Sequence, residues 1–467
     1  VAKDTHTHTQ SHRSSAKQLA PMAAVVVAEP LRETPDDVVD EILLRVPCPS
    51  SLVRAAAACS SFRLLVSSPS FLRRHRALHP DQSGPFLGVF SSVPAYGKTG
   101  GTFHPAAQPH PAAAAAGAVS GAADFSFAFL PGSGPPDADA GAESQHGWLV
   151  RDYRDGRFLL DRATPDNDIV TDLAVCDPVS RRYVLLPPIP EDLAAAADNP
   201  LGVLGGRRWC EPFLAPAPAP GPGDATEDEE DEEPAFAVIW TARCPRRVVA
   251  LAFSSRDGAW RALPSPDCFV WRSRRSIFAC PVHAVWNRRH YAHGRFYWVD
   301  CLTNRWLVLD TGTMELTVEE IQSPSRFWEE NVAVVEGPNG AVGVFAHDFY
   351  HADGIATLNY YTISRDDAAD NTSSWQLENT IPLPWSTKHG RPYCLRGAAN
   401  GCLVIEVTQD SPRPFMSSHH SRDVELFTID AKRFQLERVC QARCSGGVSD
   451  GWWPYFSFPP LLSLPTV

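Results

Sequence analysis

From Trp148 onward the chain is cut into short apolar runs, each ended by a turn signal, and that rhythm limits the folds open to it. Trp148-Leu149-Val150-Arg151-Asp152 leads through Gly156 to Arg157-Phe158-Leu159-Leu160-Asp161. Leu173-Ala174-Val175-Cys176 meets the turn Asp177-Pro178, and Tyr183-Val184-Leu185-Leu186-Pro187 follows. Aromatic and β-branched residues suit a pleated, half-buried surface, while Asp, Gly and Pro supply turn geometry. Residues 148–187 therefore read as four successive strands.

The unit recurs in degenerate form. Phe236–Thr241 and Val248–Phe253 precede the turn Arg256-Asp257-Gly258 and Trp260-Arg261-Ala262-Leu263-Pro264. Gly294-Arg295-Phe296-Tyr297-Trp298 echoes Gly156-Arg157-Phe158, then continues through Arg305–Leu309, Asp310-Thr311-Gly312 and Leu316-Thr317-Val318. Two more groups follow, around Val332–Leu377 and Gly401–Leu436. Phe86–Phe90 and Phe125–Phe129 read as isolated strands, and either they or Tyr455–Phe458 can complete a sixth group. Small antiparallel sheets repeated around an axis protect their edges, so the pattern predicts a β-propeller of about six blades over residues 148–460. The alternative is a large irregular β-sandwich. The repeated strand–Asp-turn–strand unit favours the propeller.

The N-terminal part belongs to another class. All 13 tryptophans lie after residue 147. Residues 1–33 read as a disordered tail, polar and then rich in Ala and Val. Within it, Met22 reads as a start, with residues 1–21 an upstream extension; detecting those residues by peptide mapping of the native protein would refute this. Residues 34–80 read as helical. Thr34 can cap, Pro35 suits the first helical position, and Asp36 and Asp37 favour the positive helix end. Val38, Val39, Ile42, Leu43 and Val46 recur at helical spacing until Pro47 stops the run. A second helix carries Leu52, Ala55, Ala56 and Cys59, and Phe62, Leu65, Val66, Phe71 and Leu72 continue the pattern. Residues 81–147 read as an irregular linker containing the low-complexity Ala112–Ala116. The fold class is thus α+β and multidomain, a small all-α module before a large all-β domain.

Charge and cysteine use narrow the partners. The net charge is −12, and the run Glu227–Glu233 supplies seven acidic groups within a stretch, 191–234, that reads as a solvated acidic disordered insertion. Residues 365–374 read as a second, polar insertion. There is no basic face interleaved with aromatics, so no nucleic-acid partner is expected. No apolar run has the length of a membrane span, and Leu19–Ala28 only faintly mimics a signal-peptide core. The 12 cysteines form no CxxC pair, which fits dispersed thiols in the cytoplasm or nucleus and leaves no metal site or cofactor to expect. The alternating His6, His8 and His12 have no thiol or carboxylate to complete a site.

Thr34-Pro35-Asp36-Asp37-Val38-Val39-Asp40-Glu41-Ile42-Leu43-Leu44-Arg45-Val46-Pro47 resembles the opening of an F-box. Ser51-Leu52-Val53-Arg54-Ala55, Ala58–Arg63 and Leu65–Phe71 resemble its second half. Thr34 stands where the family usually has leucine, and Phe62 where it often has tryptophan. The β region is similar to the kelch-like or F-box-associated propellers attached to this motif in plants, above all in Asp172–Pro178 with Arg181–Pro188.

The resemblance implies a substrate-recognition subunit of a cullin-RING ubiquitin ligase of the SCF type. It implies docking on a Skp-family adaptor, and through it a cullin, through Pro35, Val38, Ile42, Leu43, Val46, Pro47, Leu52 and Val53. A helical stripe is commonly half core and half interface, so about half of these are expected to pack the module itself. The propeller would hold an unidentified protein target, and the chain would perform no chemistry. The rivals are a propeller scaffold outside ubiquitination and a propeller hydrolase. Against the hydrolase, His-Glu-x-x-His is absent and no Gly-rich phosphate loop follows a strand. His347, Asp348 and His351, with His419 and His420, read as surface-loop residues.

Overall fold

The computed structural model describes residues 35–46, 49–66, 68, 71, 74–75, 78, 86–91, 101–132, 147–162, 171–197, 210–216, 235–244, 247–265, 289–299, 304–323, 332–347, 355–365, 373–386, 393–408, 422–444 and 452–456. Six antiparallel blades make up its β part. The first blade unites the first and last of the described strands. β1 (Phe86–Ser91) pairs with β2 (Thr102–Pro105) on one side and with the last strand, β23 (Trp452–Phe456), on the other.

The remaining blades follow in sequence. The second holds β3 (Trp148–Arg154), β4 (Arg157–Arg162), β5 (Leu173–Asp177) and β6 (Arg182–Leu185). The third holds β7 (Cys210–Pro216), β8 (Phe236–Arg243), β9 (Val248–Ser254) and β10 (Ala259–Ala262). The fourth holds β11 (Arg289–Ala292), β12 (Arg295–Trp298), β13 (Arg305–Asp310) and β14 (Glu315–Gln322). The fifth holds β15 (Val332–Glu336), β16 (Val342–His347), β17 (Ile355–Arg365) and β18 (Ser373–Ser386). The sixth holds β19 (Tyr393–Ala399), β20 (Cys402–Thr408), β21 (Arg422–Asp430) and β22 (Leu436–Cys444). A short parallel pairing of Ile321 and Gln322 with Ser373 and Ser374 fuses the fourth and fifth blades into one sheet.

Turn chemistry explains the repeat. Asp155-Gly156, His293-Gly294, Asn339-Gly340 and Asn400-Gly401 all have two consecutive positive φ angles. That is the geometry a tight β-hairpin requires, and Gly, Asn and Asp adopt it at least cost. Each pair joins the first two strands of a blade. In the second, fourth and sixth blades the third and fourth strands are joined by an Asp-centred turn. Asp310 Oδ1 accepts the amides of Gly312 (2.9 Å) and Thr313 (3.2 Å), and Asp430 Oδ1 those of Lys432 (2.8 Å) and Arg433 (2.9 Å). Asp177 accepts the Val179 amide at 2.8 Å and the Ser180 hydroxyl. A left-handed residue closes each of these turns: Arg181, Met314 and Phe434.

The apolar cores lie between neighbouring blades. Leu159 and Val175 of the second meet Val238, Leu251 and Trp260 of the third. Phe213 and Ile239 of the third meet Phe296, Trp298 and Leu309 of the fourth. Val308 of the fourth packs with Val334 and Val344 of the fifth, and Phe345 of the fifth with Leu403 and Ile405 of the sixth. Strands such as β8 are therefore buried along their whole length and read as continuous apolar runs.

Several expectations shift. The β region does not begin at 148, because β1 and β2 join the closing blade. The stretch 191–234 is not wholly a disordered insertion: it contains the helical turn Glu191–Ala194 and β7, whose Phe213, Leu214 and Ala215 are core. Glu227–Glu233 lies outside the described residues. Phe125–Phe129 is not a strand. Phe127 turns to φ 56°, and the rings of Phe125 and Phe127 pack on Phe90 and Phe158 instead. The alanine tract in 81–147 is a helix, Ala113–Ala122.

Before the blades, the described residues include the helices α1 (Asp36–Leu44), α2 (Pro49–Ala58) and α3 (Ser60–Val66), and Phe71, Arg74, His75 and Leu78 are helical as well. Pro35 occupies the cap position of α1 and its carbonyl accepts the amides of Val38 (3.0 Å) and Val39 (3.1 Å). Thr34, the expected cap, lies outside the described residues, as do residues 1–33.

Candidate functional site

The expected adaptor residues separate by face. On α1, Val39, Leu43 and Leu44 turn inward and join Leu52, Val53 and Ala56 of α2 in one apolar cluster. Val38 and Ile42, one helical turn apart, point outward and are 44% and 54% exposed. Residues four apart share a helix face, so these two form a continuous apolar strip. Pro35 at the head of the strip is exposed as well, and Val46 is half-buried. Pro47 lies outside the described residues. Of the eight positions, Leu43, Leu52 and Val53 are thus packing residues, while Pro35, Val38 and Ile42 are open to a partner.

The strip is held in place by charge. Arg74 reaches back to Asp40 (2.5 Å) and Glu41 (3.4 Å), and Arg45 pairs with Glu41 at 3.0 Å. His75 Nε2 lies 3.0 Å from the Val46 carbonyl, and its ring stacks on Phe71. These contacts fold the segment after α3 onto α1 and leave Val38 and Ile42 uncovered among the described residues.

A second polar assembly lies on the propeller's innermost strands. β23, β3 and β7 adjoin in turn, as do β11, β15, β19 and β23. Between β7 and β11, Arg289 supplies a join. One of its guanidinium nitrogens lies 2.7 Å from Asp152 of β3, and the other contacts Glu211 of β7. Asp152 also accepts the Leu214 amide at 2.8 Å. Trp298 Nε1 donates to Glu211 at 3.4 Å. The Arg289 guanidinium sits 4.2 Å from the Phe213 ring centroid, and that of Arg154 3.8 Å from Tyr291.

Burial pushes the Asp152 carboxyl up, against the pull of Arg289, Arg154 and the Leu214 amide. Burial also brings Arg243 down to about 10, with Glu211 opposing the shift and Arg289 adding to it. Both carboxylates already face a cation, and Asp152 is sealed from solvent, so the cluster is built to join three blades. The sequence marks Asp152 and Trp298 only as strand residues and carries no signal that joins them to Arg289 or Glu211. Arg289 is 137 positions from Asp152 and 78 from Glu211, and only the blade topology brings them together.

The histidine and nucleophile candidates resolve differently. His347 is not a loop residue: it is buried in β16, with Nδ1 2.7 Å from the Tyr393 hydroxyl and 3.1 Å from the Thr357 carbonyl. Asp348, His351, His419 and His420 lie outside the described residues. The hydrolase reading was also set aside on the absence of Gly-x-Ser-x-Gly, and that is incorrect: Gly447-Val448-Ser449-Asp450-Gly451 has this spacing. A nucleophile elbow needs a strand–turn–helix frame. This spacing also lies outside the described residues, and strand β23 follows it. Among the described residues no cluster of His, Cys, Asp and Glu could hold a metal ion, and no helix is long and apolar enough to cross a membrane.

The described residues thus form a six-bladed β-propeller, with helices before the first blade. No family model matches the sequence, and no curated protein matches it. Among solved structures, the chain is similar to the β-propeller domain of the Trilobed protease from Pyrococcus furiosus, with 8% identity, 62% of this chain and 70% of that one covered, and a TM-score of 0.28. It is also similar to an α-L-arabinanase of Penicillium chrysogenum complexed with arabinobiose, with 12% identity, 62% and 80% covered, and a TM-score of 0.31. The propeller assignment itself rests on the blade topology.

Proposed function

We propose that this protein is the substrate-recognition subunit of a cullin-RING ubiquitin ligase of the SCF type. Its helical module docks on a Skp-family adaptor, and its propeller holds the target. The observation that carries this reading is the outward strip of Pro35, Val38 and Ile42. An apolar helix face left in water is unfavourable unless a partner covers it. The strip falls within the segment whose order and spacing resemble the F-box, at positions where that family meets its adaptor.

In this reading the chain contributes position. Holding a target beside a ubiquitin-charged enzyme turns a bimolecular encounter into a local one and raises effective concentration. The propeller suits the task, because its blades form a stiff frame on which loops can vary. The cytoplasm or nucleus is the compartment this reading requires.

The test is co-purification of the full chain with a Skp-family adaptor. Val38→Asp with Ile42→Asp abolishes capture while the propeller remains folded by circular dichroism. Capture that survives this double change refutes the assigned face. A target whose level fails to rise on proteasome inhibition would favour the scaffold reading over the ligase.

A further inference from the structure

The helix Ala113–Ala122, α4, lies between the helical module and the closing blade. It adjoins α2 on one side and β1 and β2 on the other. Its buried side chains are Ala115, Ala116 and Val119, with Ala112 just before, and they share one apolar cluster with Leu43, Leu52, Val53 and Ala56 of the module. The same cluster contains Phe90 of the first blade, Phe158 of the second, and Val424 and Val439 of the sixth. No separate core divides module from propeller.

Both flanks of α4 are tied to blades. Before it, the Ala107 amide donates to the Val439 carbonyl of β22 at 2.8 Å, and His110 Nε2 lies 3.4 Å from Glu437. After it, the Asp124 amide donates to the Pro178 carbonyl beside β5 at 2.8 Å. The module makes its own bond to the same turn, Arg63 Nη1 to the Val179 carbonyl at 3.4 Å. The segment thus runs from the sixth blade across the first to the second. Its inward side chains are small, which lets the helix backbone approach its neighbours closely. Gly117 and Gly121, on its exposed side, face open space.

We propose that α4 is a coupling bracket: it fixes the helical module to the propeller across the closing blade, so that α1–α3 and that blade open as one unit. The coupling holds whether or not the module meets an adaptor. Under the ligase reading it sets a fixed geometry between adaptor and target.

Hydrogen exchange of the full-length chain, resolved by segment, tests this. Gly117→Ala with Gly121→Ala adds helix propensity where nothing crowds the new methyls, which slows opening of α4 by about fivefold per change. The bracket requires the same slowing in α1–α3 and β1. Slowing confined to α4 overturns it. Val119→Asp buries a carboxylate in the shared cluster and is expected to speed exchange in α1–α3 at least about tenfold, with the third to fifth blades unchanged. Unchanged exchange in α1–α3 while α4 melts also overturns it. Should Val119→Asp prevent folding, the glycine pair decides alone.

Discussion

Replacing Arg289 by Met removes the cation from the joint between the second, third and fourth blades while keeping side-chain length. Asp152 and Glu211 then face each other, with Asp152 only 6% exposed at its side chain. Removing one partner of a buried pair costs about 3–5 kcal/mol, because the other charge is left uncompensated. Asp152 keeps the Leu214 amide at 2.8 Å and the attraction of Arg154, and Glu211 is 28% exposed, so the lower end applies, about 3 kcal/mol at most. The cation–π contact with Phe213 is lost in the same step. Urea unfolding followed by tryptophan fluorescence reads the change.

The charges also fix a pH signature. Without Arg289 the Asp152 carboxyl rises further above its unfolded value. A raised carboxyl favours the folded state only when protonated, so the deficit is largest near pH 7 and shrinks toward pH 4. Adding Asp152→Asn should recover about half of the loss, since the amide oxygen still accepts from Leu214. A loss under about 1 kcal/mol for Arg289→Met, or additivity of the two changes, would refute the joint.

Other features are testable in the same way. Burial lowers His104 to about 4, and it sits 3.1 Å from the Ser91 hydroxyl and stacked on Trp452 in the closing blade. The unfolded chain takes up this proton near pH 6.5, so stability should fall by at most about 3 kcal/mol between pH 6.5 and 4, and His104→Gln should flatten that part of the stability curve. Asp310→Ala or Asp430→Ala removes an acceptor of two turn amides and should cost about 1–2 kcal/mol in urea melts, whereas Asp→Asn should cost less. The Tyr455 hydroxyl is buried without a hydrogen-bond partner among the described residues. Tyr455→Phe should therefore be neutral or stabilising by about 1 kcal/mol in thermal scans.

What was legible in the sequence was whatever chemistry is local. Asp-Gly and Asn-Gly pairs, and the Asp177, Asp310 and Asp430 turns, announce themselves within a few residues, and they mark blades two, four, five and six. Helix α1 was legible through its i, i+3, i+4 spacing. β7 was hidden because its strand signal, Phe213-Leu214-Ala215, is brief and flanked by prolines and the acidic run. The closing blade was only half legible, since β1 and β23 are paired across the whole chain and neither strand alone says which partner it takes. Exposure was the last missing quantity. Spacing put Val38, Ile42, Leu43 and Leu52 on helices and the F-box resemblance added Val53, but only packing separates the outward pair from the buried three.

Docking of a Skp-family adaptor on the Val38–Ile42 strip, as proposed, is measured directly by calorimetric titration of purified adaptor into the full-length chain. Saturable one-to-one binding is the expected result. Ile42→Asp should weaken it by more than about a hundredfold, because a carboxylate would be desolvated against an apolar partner. Asp37→Asn, at an exposed position of α1 beside the strip, should leave it within about threefold, a surface charge being worth little. Absence of binding by the wild-type chain, or equal affinity of the wild type and Ile42→Asp, would contradict it.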